Sequence, residues 1–467
     1  MTTAAQGFSY ERLHAFNLPR PDGWERVETE AGVLAVAHPP VADGDFRPNM
    51  VLRGEPADGI SIARFATAAL ASTLEEFQDV RILSNDLWSP EALGTEALGT
   101  EGSGRRQRFV HRAGRHPVCV DRWIWIDDGF VMEATASYTI EQHTGMKLLF
   151  EQMVRDIRIN TAVRDMPGSQ AVREGRRDID RIAPQEPRLD DYASRCTGAE
   201  LEDLGSIAAA QPYREGGMLL PIPALELLDT LLVRDRLGRF QRKDPSVATL
   251  QAAGLLTAAA KLTPAGEQFL LPVRKLDASF QVEVSNAAGG SVLQAWIGGG
   301  LGKITAGPSL FPAASAAAAF GPDDVAASIM QANMVPKRIA DWAGLSPGWS
   351  IPHEPVVLGM DHYEARLKSA RTPAPKTLDQ AAGQMWQQPW AEWQILNEQT
   401  GGWFGWVNAG VAGQYRLSPA DGYQEHGRTV RLEPMSPAVV WDMLVRFIHC
   451  TVEGIPLRLP EVPGFNG

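Results

Sequence analysis

Within residues 276–467 one pattern occurs twice, and that repetition constrains the fold more than any single motif. The stretch WIGGGLGKITAGP (296–308) aligns with WVNAGVAGQYRLSP (406–419) after one insertion at Ala412. Trp296 falls on Trp406, Gly300 on Gly410, Gly302 on Gly413 and Pro308 on Pro419. A glycine pair stands upstream of each copy, Gly289-Gly290 and Gly401-Gly402. A proline-led run follows each: GPDDVAASIMQ from Gly321 and SPAVVWDMLVRF from Ser436. Proline suits the first turn of a helix, where its φ is pre-set and it has no amide to leave unpaired. The expectation is two copies of a strand–strand–strand–helix unit, 276–335 and 391–450. A connecting segment (336–390) joins them, and a pseudo-twofold axis relates them.

A chain of 467 residues exceeds one ordinary core, so further domains are expected. Residues 1–160 read as an α+β domain. GVLAVAHP (32–39) and PNMVLRG (48–54) are strand-like, and SIARFATAALASTLEEF (61–77) reads as a helix. Asp128-Gly129 marks a tight turn between two β-rich runs. Val118, Val120, Ile124 and Ile126 share one face of the first run and Trp123 and Trp125 the other, so both faces should be covered. Met146, Leu149, Phe150, Met153, Val154 and Ile157 have the spacing of a buried helical stripe. Residues 161–192 carry mixed charges with almost no apolar clustering and read as a linker. Residues 193–275 read as helical, with Thr197 capping a helix that carries Leu201, Leu204 and Ile207. PALELLDTLLVRDRL, PSVATLQAA and a GLL…KLT ribbon then suggest a winged-helix-like arrangement.

Gly302-Lys303 invites comparison with a phosphate-binding loop. Such a loop needs a glycine five residues before the Gly-Lys pair and a hydroxyl residue directly after it. Position 297 is Ile, Lys303 is followed by Ile304, and a strand-like run follows where a helix should receive the phosphate. The glycines are read as the reversal between two strands. His353, Glu354, Asp361 and His362 are metal-ligating types, but Pro355 breaks the helix a zincin pattern would need, and a solvated loop is expected. GWSIP and GISIA lack the closing glycine of a nucleophile elbow. Neither catalysis nor a cofactor nor a metal is indicated.

The net charge of −12 opposes general attraction to nucleic acid or anionic membrane, leaving only a local basic patch possible. Arg234, Arg236, Arg239, Arg242 and Lys243 form such a cluster, but the would-be recognition helix, SVATLQAA, contains no Lys or Arg. The sparse, scattered cysteines (Cys119, Cys196, Cys450), the absence of a signal-peptide pattern and the absence of a long apolar run point to the cytoplasm. Trp386, Trp390 and Trp393 form a stripe interrupted by Pro389. Trp403, Phe404 and Trp406 must occupy both faces of one strand.

Residues 195–467 resemble the EspG family, the cytosolic chaperones of type VII (ESX) secretion. LEDLGSIAAA, LELLDTLLVRDRLG, LQAAGLLTAAAKLTPAGEQFLLPV and the two sheet-plus-helix copies carry that resemblance. Residues 1–160 look like a PsbP/DcrB-type domain through LPRPDGWERVE, FRPNMVLRG and RWIWIDDGFVMEATAS. The resemblances imply an α+β, non-catalytic chaperone or adaptor. It would hold a secreted helical client, such as a PE/PPE pair or another small helical protein, with no nucleic-acid partner and no membrane insertion. Trp296 and Leu301 in the first copy, and Trp403, Phe404, Trp406 and Tyr415 in the second, are the candidate partner-binding residues. A winged-helix transcriptional regulator with a ligand-sensing domain is the alternative.

Overall fold

The computed structural model describes residues 7–13, 16–30, 32–42, 44–57, 59–88, 104–127, 130–159, 191–311, 320–351, 353–397, 399–419 and 429–455. The expected linker lies outside the described residues except for its last two, Asp191 and Tyr192. Asp128-Gly129 also lies outside them.

The N-terminal part is built on two antiparallel sheets. A small one has the order β1 (Phe8–Leu13), β2 (Phe16–Pro21), β10 (Arg158–Ile159). The larger is formed by β3 (Glu25–Val27), β4 (Val33–Ala37), β5 (Asn49–Pro56), β6 (Arg81–Trp88), β7 (Gly104–Ala113), β8 (His116–Asp127) and β9 (Phe130–Thr139), in the order 3-4-5-9-8-7-6. The pairing of β8 with β9 runs to Asp127↔Phe130, as the turn signal between them predicts. Both faces of the sheet are covered. Helix α1 (Ile62–Glu76), capped by Ser61, packs Phe65, Ala66 and Leu70 on the face of Val118, Val120 and Ile124. Helix α2 (His143–Arg155) packs Phe150 and Met153 on the face of Trp123 and Trp125.

The chain continues through α3 (Asp191–Thr197) and α4 (Leu204–Ala209). Thr197 ends α3 instead of capping the next helix. The cap is Asp203, whose carboxylate accepts from the Ser206 amide at 3.0 Å, because it alone stands three residues before an amide that has no helical acceptor. There follow β11 (Met218–Pro221), α5 (Ile222–Asp229), α6 (Ser246–Ala252) and α7 (Pro264–Arg274), with a Leu256↔Leu262 bridge in the ribbon.

The remaining elements are β12 (Leu276–Asn286), β13 (Gly289–Gly298), β14 (Leu301–Ala306), β15 (Asp324–Gln331), α8 (Val335–Trp342), β16 (Val356–Gly359), α9 (Met360–Lys368), α10 (Gln380–Gln387), β17 (Ala391–Asn397), β18 (Trp403–Asn408), β19 (Gln414–Pro419), β20 (Thr429–Met435) and α11 (Pro437–Val452). With β11 they make one ten-stranded antiparallel sheet of order 11-15-14-13-12-17-18-19-20-16. Its two halves have equivalent strand orders and meet at β12 and β17, where Glu283 pairs with Gln394. Each half includes an outer strand leading directly into a helix, β11 into α5 and β16 into α9.

Two expectations about the copies need correction. Residues 321–331, read as a helix, contain strand β15, hydrogen-bonded to β14 on one side and β11 on the other. Pairing on both edges overrides the helical preference of its alanines. The proline-led helix follows as α8, with Pro336 where α11 has Pro437, so each unit has four strands before its helix. The one-to-one match of Trp296 with Trp406 also fails. Trp296 pairs with Lys303 on the sheet face carrying α7, whereas Trp406 lies in the core with α11 on the opposite face. A slip of one residue in a strand exchanges the two faces.

The two parts of the chain share an interior. A single apolar cluster includes Trp123 and Phe150 of the N-terminal part together with Phe280, Trp393 and Trp441 of the large sheet and its helix. Arg81 Nε donates to the Leu345 carbonyl at 2.7 Å. The Gln211 side chain pairs with both the amide and the carbonyl of Ile82, each at 2.8 Å.

Candidate functional site

The large sheet has an inner face, packed by α8 and α11, and an outer face covered only at its flanks. On one flank α7 lies over β13 and β14, with Phe269 beside Lys303. On the other, α9 and α10 cover Val407, Tyr415 and Leu432, and Tyr363 Oη donates to Glu392 Oε2 at 2.5 Å. Between these covers the middle of the face is open. Val292 is 44% exposed, Leu396 37% and Trp403 42%, with Gln281, Gln294 and Gln394 among them. The pairings put Gln294, Gln281, Leu396 and Trp403 in one row across the strands, and Val292, Glu283 and Gln394 in the next row on the same face. The four strands β13, β12, β17 and β18 span about 14 Å at ~4.8 Å per step. None of them contains Lys or Arg, and Glu283 stands exposed among them.

Three of the six sequence candidates reach this side in the open. Trp403 lies on the open row, Trp296 is half-buried beside it, and Leu301 is half-buried at the edge. The other three do not present a surface. Phe404 and Trp406 point to the inner face, Phe404 edge-on to Phe447, and Tyr415 is held under α9 and α10 against His353. Strand alternation explains the split, since 403 and 404 cannot face the same way. Val292, Leu396 and the three glutamines went unnoticed in the sequence because none stands in a motif.

The Gly-Lys stretch is the hairpin turn the sequence suggests. Gly298 pairs with Leu301, and Gly299 and Gly300 both have positive φ, +60° and +78°, as a two-residue turn of this hand requires. Lys303 is buried between the rings of Phe269 and Trp296, each 4.9 Å away. Burial lowers its pKa, against the opposing pull of Asp229 at 3.4 Å. Its ammonium group has no room for a phosphate. No group of three or more metal-ligating side chains occurs among the described residues. His353 is not in a solvated loop as expected. It is buried, with Nε2 3.3 Å from Tyr415 Oη, because the aromatic ring of Tyr415 gives it an apolar wall.

Ionisable groups converge elsewhere, at the seam between the two parts. Arg108, fully buried, donates to Asp121 Oδ1 at 2.8 Å and to Asp442 Oδ1 of α11 at 2.5 Å. His143 Nε2 lies 2.8 Å from the same Asp442 oxygen, and Lys147 donates to the other. Tyr138 Oη donates to Asp121 Oδ2 at 2.5 Å. Burial opposes ionisation of Asp121, but Arg108 and Arg106 hold its carboxyl at about 2. The same balance, led by Arg108 and His143, keeps Asp442 well below the usual range. Burial raises Asp86, which accepts from Ser436 Oγ at 2.8 Å. A cleft of about 380 Å³ opens beside Asp86, Arg106, Lys147, Ser436 and Asp442. Arg108, His143 and Lys147 meet Asp442, and Asp86 meets Ser436, across the seam, so the arrangement binds the two parts together. No local spacing in the sequence signals it, because its members come from six separate elements.

No family model matches the chain, and no curated protein matches it. Some solved structures resemble its N-terminal portion at low TM-score. PsbP of the cyanobacterium Synechocystis sp. PCC 6803 has a TM-score of 0.25 at 8% identity, covering 34% of this chain and 96% of that one. LpqN of Mycobacterium tuberculosis, involved in cell envelope biogenesis, has 0.23 at 13%, covering 34% and 87%. PA94 of Pseudomonas aeruginosa, of unknown function, has 0.23 at 11%, covering 32% and 94%. None of the three is an EspG chaperone, and scores this low carry no argument about function. Among the described residues no helix is long and apolar enough to cross a membrane.

Proposed function

We propose that this protein is a non-catalytic chaperone or adaptor that holds a helical segment of a secreted polypeptide on the open middle of its ten-stranded sheet. The observation that carries the reading is the exposed patch of Val292, Leu396 and Trp403, on two adjacent rows between two helical covers. An α-helix with its side chains is about 10–12 Å across, comparable with the span of about 14 Å of the four strands on which the patch lies. Such a helix, exposed before export, would aggregate, and an apolar floor shields it. The glutamines can donate to or accept from polar groups at the margin of its apolar stripe. The acidic floor, free of Lys and Arg, favours a client helix with cations or amide donors beside that stripe. Similarity of residues 195–467 to the EspG chaperones in sequence pattern supports a client of a type VII-like system, such as a PE/PPE-like or other small helical protein.

The test is co-expression with small helical proteins encoded beside it. A stoichiometric complex is expected, lost on Trp403→Asp or Leu396→Lys and kept on substitution of surface residues of the N-terminal part. If no neighbour co-purifies, or if a complex forms that both substitutions leave intact, the reading fails.

A further inference from the structure

We infer that the connection between α5 and α6, residues 230–245, docks the protein on an anionic lipid surface. Two observations meet there. Val233 and Phe240 are each 88% exposed, more than any other large apolar side chain among the described residues. Around them stand Arg234, Arg236, Arg239, Arg242 and Lys243, all exposed, in a chain whose net charge is −12. The acids interleaved with them are partly engaged. Asp235 pairs with Lys261 at 3.4 Å, and Asp244 accepts from the Ser246 amide at 2.8 Å.

The segment is held in shape, so its display is a fixed feature. Arg274 donates to the carbonyls of Leu231 at 2.6 Å, Leu232 at 2.9 Å and Arg234 at 3.2 Å. Leu237 is buried, and its amide donates to the Ala260 carbonyl at 3.0 Å. The Gln241 side chain accepts from the Gly238 amide. A hydrogen-bonded segment that exposes two apolar side chains and five cations within residues 233–243 matches what a bilayer interface takes. The cations meet acidic headgroups, and the apolar groups enter the boundary with the acyl chains. No span is involved. A peptide would need a groove, and neighbours cover almost none of Val233 or Phe240. Duplex DNA would gain from the cations, but it offers nothing to a protruding Phe, and α6, the helix that would enter a groove, carries no Lys or Arg. This surface is separate from the open sheet face, so the inference does not rest on the client reading.

The experiment is sedimentation of the full-length protein with vesicles of phosphatidylcholine alone and of phosphatidylcholine mixed with phosphatidylglycerol. Binding is expected to the mixed vesicles only and to weaken steeply with salt. Phe240→Ser should lower the partition coefficient roughly tenfold, and Arg239→Glu with Lys243→Glu should abolish binding at moderate salt. These side chains are exposed, so circular dichroism should be unchanged. As an independent readout, the emission of Phe240→Trp should shift to the blue on mixed vesicles. No binding at low salt, equal binding to neutral vesicles, indifference to both sets of substitutions, or retention on duplex DNA with none on vesicles would each overturn the inference.

Discussion

Asp442 is the residue on which the seam between the two parts should most depend. It lies on α11 of the large sheet, and its partners Arg108, His143 and Lys147 all belong to the N-terminal part. Each contact between unit charges near 3 Å has a gross attraction of about 5–6 kcal/mol at an effective dielectric constant near 20. Much of that offsets the desolvation of the ions. Removing one member of a buried pair generally destabilises by about 3–5 kcal/mol, because the other charge is left uncompensated. In Asp442→Asn, Arg108 keeps Asp121 at 2.8 Å, so the loss should fall at the lower end, about 3 kcal/mol. Lys147→Met removes a partner whose side chain is 26% exposed, and it should lose no more than about 1 kcal/mol. Urea unfolding followed by tryptophan fluorescence measures both. Hydrogen exchange should show faster opening of β6 and β7 in Asp442→Asn, since these strands meet α11 across the seam. If Asp442→Asn changes stability by less than about 1 kcal/mol and leaves exchange unaltered, apolar packing alone joins the two parts and the electrostatic account is wrong.

Other outcomes follow from the same structure. Asp121 and Asp442 have folded pKa values below the ordinary 3.8, so their contribution is present above that pH and lost as pH falls below it, for Asp121 through about 2. Asp86 and Glu202, raised by burial, act oppositely and are relieved as pH falls from neutral. Stability should therefore peak under mildly acidic conditions and collapse below it, which chemical denaturation across pH will check. Gly300→Ala meets no atom within 4 Å but must hold φ at +78°, so a loss of about 1–2 kcal/mol is expected in the urea midpoint. Lys303→Met should stay within about 1 kcal/mol of the parent or exceed it, because a buried charge with one distant partner is replaced by an apolar chain between two rings. Loss of calorimetric ATP binding in that variant would restore the phosphate-loop reading. Trp403→Asp should leave stability within about 0.5 kcal/mol, whereas Trp406→Ala should cost about 3–5 kcal/mol.

The sequence carried the N-terminal elements well, because each announced itself locally. The alternation in β8 and the 3-4 spacing of α2 are short-range signals that burial on both faces of the sheet then bears out. The duplicated sheet was legible only in outline. Two glycine-rich turns and two prolines mark the copies, but the outer strands β11 and β16 are four residues each and have no repeat signature. The strand at 324–331 was hidden by its alanines, whose local preference is helical. What decides its state is a pair of neighbours, β11 and β14, one of them more than a hundred residues distant in sequence. Long-range pairing of this kind leaves no local trace.

The site followed a sharper rule. Tryptophan at a given position says that something large is covered or covers, and only the parity of the strand says which. Trp403 and Phe404 differ by one step and have opposite fates, one on the open floor and one against Phe447 in the core. Parity is set by register, and register here is fixed by the pairing of β17 with β18 across Leu396↔Trp403 and Ile395↔Phe404. Burial of Phe404 and Trp406 on one face specifies that register, and the turn between the strands closes it. Asn397 donates its amide to the Gly402 carbonyl, and Gly401 turns at φ +67°. A side chain forced on Gly401 would strain the turn and could slip the strand by one residue. That slip would bury Trp403 and expose Phe404 and Trp406. The exposed row is thus a consequence of where one turn closes as well as of which large side chains the opposite face buries.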